Sequence, residues 1–383
     1  MIGKRIFCVV LTVFVLFLIV DRVLAHEASM PADPELLVGW RTWLHLTIQW
    51  IHLVGLGLWF SFTAAPLLLG LNPPLSHLLY SSWALFLLLL ATGNYNMEHS
   101  AGIPVVPSLL NLPLMGQIPY GVPYTVMLAV KQGLFALMVF FTAAITFLHA
   151  RHRLGEAALR RTFLIAGSIL GVLIALVTSA VLLLHEATDL WPTALHSMGG
   201  VLGPEGPRTV TAISGDSPPP NDFRLLARPE VWWDITVRWF HLLGFGLWLG
   251  GIITALWSGR VGARRFLMYS WAALAIQVFS GVTSMDRWTP FYLSPYIWNL
   301  DALSHLRFGR TYTLLMAVKQ ALVIAVIGVT GGMTLHCLKH RAAAAMDVVS
   351  LRPWLISGLL LGLAIAYVMI MVLLIHEGVD HVL

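Results

Sequence analysis

The chain has 383 residues, of which 58% are hydrophobic and only 11% are charged, and its mean hydropathy is +0.81. A soluble domain carries about 25% charged residues, so this composition excludes a large soluble domain and predicts a membrane protein with lipid around it. The net charge of +5 comes from short basic clusters beside apolar runs, which indicates membrane topology and excludes nucleic acid as a partner. The two cysteines, Cys8 and Cys337, lie at opposite ends of the chain and provide no disulfide framework.

The N-terminal segment, 1–25, has the pattern of a secretory signal peptide. Lys4 and Arg5 precede an apolar run that ends at Val20, and the small-residue pattern that follows ends at Ala25. The run is short for a membrane span, which favours a cleaved signal over an uncleaved anchor.

Eight apolar segments of spanning length follow the leader. Each should be an α-helix, because a backbone exposed to lipid must satisfy its own hydrogen bonds. The predicted spans are 44–69, 77–96, 123–148, 162–184, 234–257, 266–284, 311–335 and 353–375.

Basic residues cluster on alternate connections between these spans. By the positive-inside rule those connections are cytoplasmic, which places both termini of the mature chain on the outer side of the membrane. The clusters are Arg151, Arg153, Arg160 and Arg161, then Arg260, Arg264 and Arg265, then Lys339, Arg341 and Arg352.

The two halves of the chain repeat one another. The segment from Trp50 to Trp59 recurs from Trp239 to Trp248, and similar matches at nearly the same offset run through the spans. The sequence therefore predicts an all-α polytopic protein made of two parallel four-helix repeats. Further matches are Ala129-Val130-Lys131-Gln132 with Ala317-Val318-Lys319-Gln320, and His185-Glu186 with His376-Glu377.

This repeat sets the predicted domain boundaries. After the signal peptide at 1–25, the first four-helix repeat covers 26–185 and the second covers 231–383. A periplasmic linker, 186–230, rich in proline and glycine, joins them and could serve as a docking surface.

Matched histidines inside or at the ends of spans are the candidate ligands, since an ionisable residue in a span is costly. His52 and His241 lie in the first helix of each repeat, and His185 and His376 close the fourth. A histidine pair from two helices could bind a copper ion or ligate a b-type haem axially. The alternative is that these are core or interfacial histidines with hydrogen-bond partners in the protein.

Two further matched pairs extend this candidate site. Lys131 and Lys319, in the third helices, could pair with a haem propionate or another anion, or could extend to the lipid headgroups. Met97 and Met285, at the ends of the second helices, are candidate soft copper ligands or packing residues.

Two motifs occur in both halves: His52-x-x-Gly55-x-Gly57-x-Trp59 with its counterpart from His241, and the segment Tyr120-Gly121 to Lys131 with its counterpart Phe308-Gly309 to Lys319. These motifs resemble those of the copper-resistance protein D (CopD) family. The resemblance implies an eight-span inner-membrane protein of copper uptake or homeostasis that works with a periplasmic copper protein. More distantly, the His and Lys pairs are similar to those of HemJ-type bundles, in which a first-helix His and a third-helix Lys serve haem chemistry.

Two main hypotheses follow, neither of them a stand-alone enzyme. The first is an inner-membrane copper-handling protein that takes copper from the periplasmic side through the matched histidines, with the methionine pair assisting. The alternative is a b-type cytochrome with bis-His haem in each repeat, which transfers electrons for periplasmic cytochromes as a subunit of a respiratory or redox complex. A third hypothesis makes the chain a scaffold in a larger membrane complex.

Overall fold

A computed structural model of the chain is helical over 94% of the residues that it describes and has no strand among them. Those residues are 40–99, 115, 120–151, 155–189, 222–258, 262–287, 309–339 and 348–380. The helices are α1 (Trp40–Leu69), α2 (Leu75–His99), α3 (Gly121–Ala150), α4 (Glu156–Asp189), α5 (Pro229–Ser258), α6 (Ala263–Arg287), α7 (Gly309–Lys339) and α8 (Val348–Asp380).

All eight helices are long and apolar enough to cross a membrane, which confirms the all-α, eight-span prediction. Several helices are longer than the apolar runs that predicted them. Helix α5, for example, begins at Pro229, before the predicted start at Asp234, and includes the acidic residue Glu230. The predicted signal peptide, 1–25, and most of the predicted linker lie outside the described residues. The linker's C-terminal end is described, and it forms a short 3₁₀ turn at Leu225–Ala227 before α5.

The chain divides into two compact units that do not follow the two sequence repeats. Unit 1 contains the described parts of 1–73, 246–274 and 295–383, and unit 2 contains those of 74–245 and 275–294. Helices from both halves of the sequence therefore meet within each unit. The repeat boundaries remain a prediction about sequence similarity.

In unit 1, α8 packs against both α7 and α1. The Trp50 indole N–H on α1 donates a hydrogen bond to the Leu363 carbonyl on α8 over 3.1 Å. Tyr367, one turn further along α8, stacks on Trp43 and meets Trp50 edge to face. Aromatic rings thus form the α1–α8 contact at this level.

In unit 2, α2, α3 and α4 pack together, and the N-terminal part of α5 packs on α4. The Trp239 indole N–H on α5 donates to the Val172 carbonyl on α4, again over 3.1 Å. The adjoining core contains Tyr120, Ala180, Leu183, Leu184, Leu225, Val231 and Ile235. Because Leu225 belongs to this core, the end of the predicted linker is packed against the helices.

A tryptophan–threonine hydrogen bond occurs in each of the two units. Trp83 donates to the Thr146 hydroxyl over 3.2 Å in unit 2, and Trp271 donates to the Thr334 hydroxyl over 3.0 Å in unit 1. Trp83 and Trp271 are equivalent positions of the sequence repeat, and so are Thr146 and Thr334. These indoles therefore tether one helix to another within each unit.

Small residues let α1 and α5 cross closely within unit 1. The Ser61 hydroxyl donates to the Gly246 carbonyl, and a Cβ added to Gly250 would overlap the Ser61 side chain at 1.7 Å. Gly246 itself faces Gly57. Two small residues four apart on each helix are the usual device for close helix contact in membranes.

Trp248 is a core residue, 4% exposed, in unit 1. A Cβ on Gly362 of α8 would lie 2.7 Å from its ring, and one on Gly358 would lie 3.7 Å away. The large ring of α5 thus lies over two glycines of α8. This contact assigns Trp248 to packing, not to an interfacial aromatic belt.

Candidate functional site: the imidazole of His241

His241 lies deep inside a membrane-spanning helix. It follows Pro229, the first residue of α5, by 12 positions, which corresponds to about 18 Å along the axis at 1.5 Å per residue. His52 follows Trp40, the first residue of α1, by the same 12 positions. Both side chains are half-buried. They therefore lie deeper in their helices than the predicted spans implied.

Both ring nitrogens of His241 have partners on α6. Nδ1 lies 3.1 Å from the Ser280 hydroxyl, and Nε2 lies 3.0 Å from the Gln277 amide nitrogen. The Ser280 hydroxyl in turn donates to the Ile276 carbonyl over 2.6 Å. These side chains form a polar cluster, here called the His241 cluster, of His241, Gln277 and Ser280 in unit 2.

The chemistry of these groups favours one arrangement of the protons. An amide nitrogen can only donate, so the Nε2 lone pair of His241 accepts from Gln277. In the neutral ring the proton is then on Nδ1, which donates to Ser280, and the serine hydroxyl donates its own proton to the Ile276 carbonyl. Each hydrogen bond in this chain has one donor and one acceptor.

Two glycines allow this close approach of α5 and α6. A Cβ on Gly244 would lie 2.9 Å from the Gln277 amide oxygen and 3.1 Å from the Ile276 side chain. A Cβ on Gly281 would lie 3.2 Å from Cε1 of His241. The neighbouring helix α6 therefore occupies the space beside Gly244.

Sequence reasoning missed Gln277 because it selected residues that match between the halves. At the offset of the repeat in this helix, Gln277 corresponds to Leu89 and Ser280 to Thr92. Thr92 donates to the Leu88 carbonyl over 2.7 Å, as Ser280 does to Ile276. The hydroxyl is thus retained in the first half, whereas the amide is not. The available signal was a glutamine within an apolar span.

Lys131 and Lys319 occupy equivalent positions, each 10 residues after the first residue of its helix. Both side chains are half-buried. In the part of the chain that the structure describes, no hydrogen bond or ion pair to either ammonium is found. The predicted anion partner of these lysines therefore stays a prediction.

The side chains of four other predicted ligands, His185, His376, Met97 and Met285, lie outside the described residues, although the backbone is helical at all four positions. Among the described residues there is no group of three or more His, Cys, Asp or Glu that could hold a metal ion. His241 is accordingly the predicted ligand whose surroundings are best defined.

A copper ion or a b-type haem would each be held at His241 by a ring nitrogen. The Nε2 atom of His241 lies 3.0 Å from the Gln277 amide nitrogen, so either group would require that side chain to move. The space beside Gly244 and Gly281 is taken up by the contact between α5 and α6. Haem therefore stays an alternative to copper at this histidine.

Eight apolar helices with a polar cluster between two of them define a multi-pass helical membrane protein. Comparisons with protein-family models, curated proteins and solved structures find no match to the chain. Function is therefore inferred from the site and from the resemblance in sequence.

Proposed function

We propose that this protein handles copper in a bacterial inner membrane, with the matched histidines as its membrane-embedded ligands. The observation that supports the proposal is His241, an imidazole within an apolar span whose two ring nitrogens lie within hydrogen-bond distance of Ser280 and Gln277. Ionisable side chains in spans are costly and commonly mark ion pathways. Imidazole and thioether groups are suitable ligands for copper, the proposed cargo.

In this proposal His241 provides the nitrogen and its neighbours control the ring. Ser280 accepts from Nδ1–H, which orients the imidazole and makes Nε2 the atom that can bind a metal. His52, His185 and His376 would supply further nitrogens, and Met97 and Met285 sulfur. A periplasmic copper protein would deliver or receive the ion on the side where both termini are proposed to lie.

The test is the copper content of the full-length protein purified in detergent after expression in copper-supplemented cells. We expect copper in the wild-type protein and its loss in the double variant His52→Ala/His241→Ala. His77→Ala is the matched control, since His77 is an exposed histidine at the start of α2 without a counterpart in the other half. That control should retain the wild-type copper content.

Three results would overturn the proposal. Copper content that is the same in the double variant and the wild type would remove the histidines from the site. A Soret band in the absorption spectrum of the intact protein would favour the cytochrome alternative. Unchanged copper content in cells that lack the protein, with loss of a membrane complex instead, would favour the scaffold hypothesis.

A further inference from the structure

We propose that Gln277 restrains metal binding at His241 by occupying the lone pair that a metal needs. This inference rests on the proposed function, because it concerns the same histidine. It also goes beyond the proposed function, since the first half has Leu89 in place of Gln277, which makes the second half chemically different.

The geometry supports the restraint in two ways. The Gln277 amide nitrogen donates to Nε2 over 3.0 Å, so a metal can bind there only after the amide leaves. The amide oxygen of Gln277 is buried without a hydrogen-bond partner among the described residues and lies against Gly244, whose missing side chain leaves room for it. The side chain is therefore enclosed between α5 and α6.

The other ring nitrogen supports the same conclusion. Because Ser280 accepts from Nδ1–H while it donates to Ile276, the ring cannot change tautomer without breaking that chain. Nε2 is thus held as the acceptor, and Gln277 competes directly with the metal for it. Gln277 is a positioning residue in this proposal: it does not coordinate the ion.

The first half carries Leu89 at the corresponding sequence position. Leucine has no donor, so the substitution Gln277→Leu gives the second half the residue type of the first. We expect it to raise the Cu(I) affinity at His241 by about tenfold, the size expected when the metal no longer has to displace a hydrogen bond. Gln277→Asn, which withdraws the donor but keeps the amide, should act in the same direction.

The experiment uses the full-length chain in the His52→Ala background, titrated with Cu(I) against a chromophoric chelator. Gln49→Leu is the matched control, because Gln49 makes the same contact, 2.9 Å between amide nitrogen and Nε2, with His45. That control should leave the affinity unchanged. An unchanged or lower affinity in both Gln277 variants, with copper still bound through His241, would overturn the inference and leave the proposed function intact.

A second measurement needs no metal. In protein labelled with ¹⁵N-histidine, the His241 resonances, assigned by their loss in His241→Ala, should report Nε2 as the unprotonated acceptor nitrogen. Gln277→Leu should shift the Nε2 resonance and leave that of His45 in place. Nε2 carrying the proton in the wild type would contradict the inference whether or not copper binds. Absence of copper from every variant would overturn the proposed function, and the role of Gln277 in metal binding would fall with it.

Discussion

The indole N–H of Trp50 donates to the main-chain carbonyl of Leu363, which ties the first spanning helix to the last within unit 1. In unit 2 Trp239 makes the corresponding bond to Val172. Trp50 and Trp239 are equivalent positions of the sequence repeat. Val172 and Leu363 are equivalent as well, because they are separated by the same number of residues as the matched pair His185 and His376. Each tryptophan thus bonds a fourth helix that lies in the other half of the sequence.

Replacement of Trp50 or Trp239 by Phe should remove one half-buried hydrogen bond and keep most of the ring packing. We expect a loss of about 1 kcal/mol or less from each, since interhelical hydrogen bonds in membranes average about 0.6 kcal/mol. Thermal unfolding in detergent, followed by far-UV circular dichroism, measures the loss. Trp40→Phe, at a ring that is 69% exposed, should have a smaller effect.

Gly362→Ala should destabilise the protein because its Cβ would lie 2.7 Å from the Trp248 ring. Overpacking of this kind costs about 1–3 kcal/mol. Gly328→Ala in α7 is the control, since a Cβ there meets nothing within 4 Å and alanine favours helix. A lower unfolding temperature for the first variant only is the expected outcome; equal temperatures would show that Trp248 can move aside.

Gly250→Ala should separate α1 from α5 because the new methyl group overlaps Ser61. Ser61→Gly should be milder, since it removes only the hydroxyl bond to Gly246. In the double variant Gly250→Ala/Ser61→Gly, the new alanine of α5 faces a glycine of α1, so we expect much of the lost stability to return. A double-mutant cycle measures this coupling, and strictly additive losses would argue against the contact.

Tyr120 should make the protein sensitive to alkaline pH. Burial raises the pKa of its hydroxyl above the ordinary value, while Arg228 lowers that pKa and Asp222 raises it. The folded state then holds the proton more tightly than the unfolded state. The stability is therefore intact below the ordinary tyrosine pKa of about 10 and falls as the pH rises above it.

Tyr120→Phe tests this contribution because phenylalanine keeps the buried ring and cannot ionise. The difference in unfolding temperature between about pH 8 and about pH 10.5, on either side of the ordinary tyrosine pKa, should be smaller in the variant than in the wild type. The same position has a left-handed backbone, φ 54°, so Tyr120→Gly relieves that strain while it loses the ring from the core. An identical pH response in wild type and Tyr120→Phe would exclude Tyr120 as the source.

Much of the candidate site could be read from the sequence, and one essential part could not. The position of His241 in a span followed from the apolar run around it, and its counterpart His52 identified it as a recurring residue. The comparison of the two halves did not select Gln277, because its counterpart in the first half is Leu89. Its partnership with His241, 36 residues away, depends on how α5 packs against α6.

The sequence by itself determined the eight helices, because long apolar segments in lipid can satisfy their backbone hydrogen bonds only within a helix. It also determined which residues recur between the halves. Only the tertiary structure decided which helices meet, because that depends on where small residues permit close approach, as at Gly244 and Gly250. That packing brought Gln277 to Nε2 of His241 and changed an isolated imidazole into one with both ring nitrogens bonded.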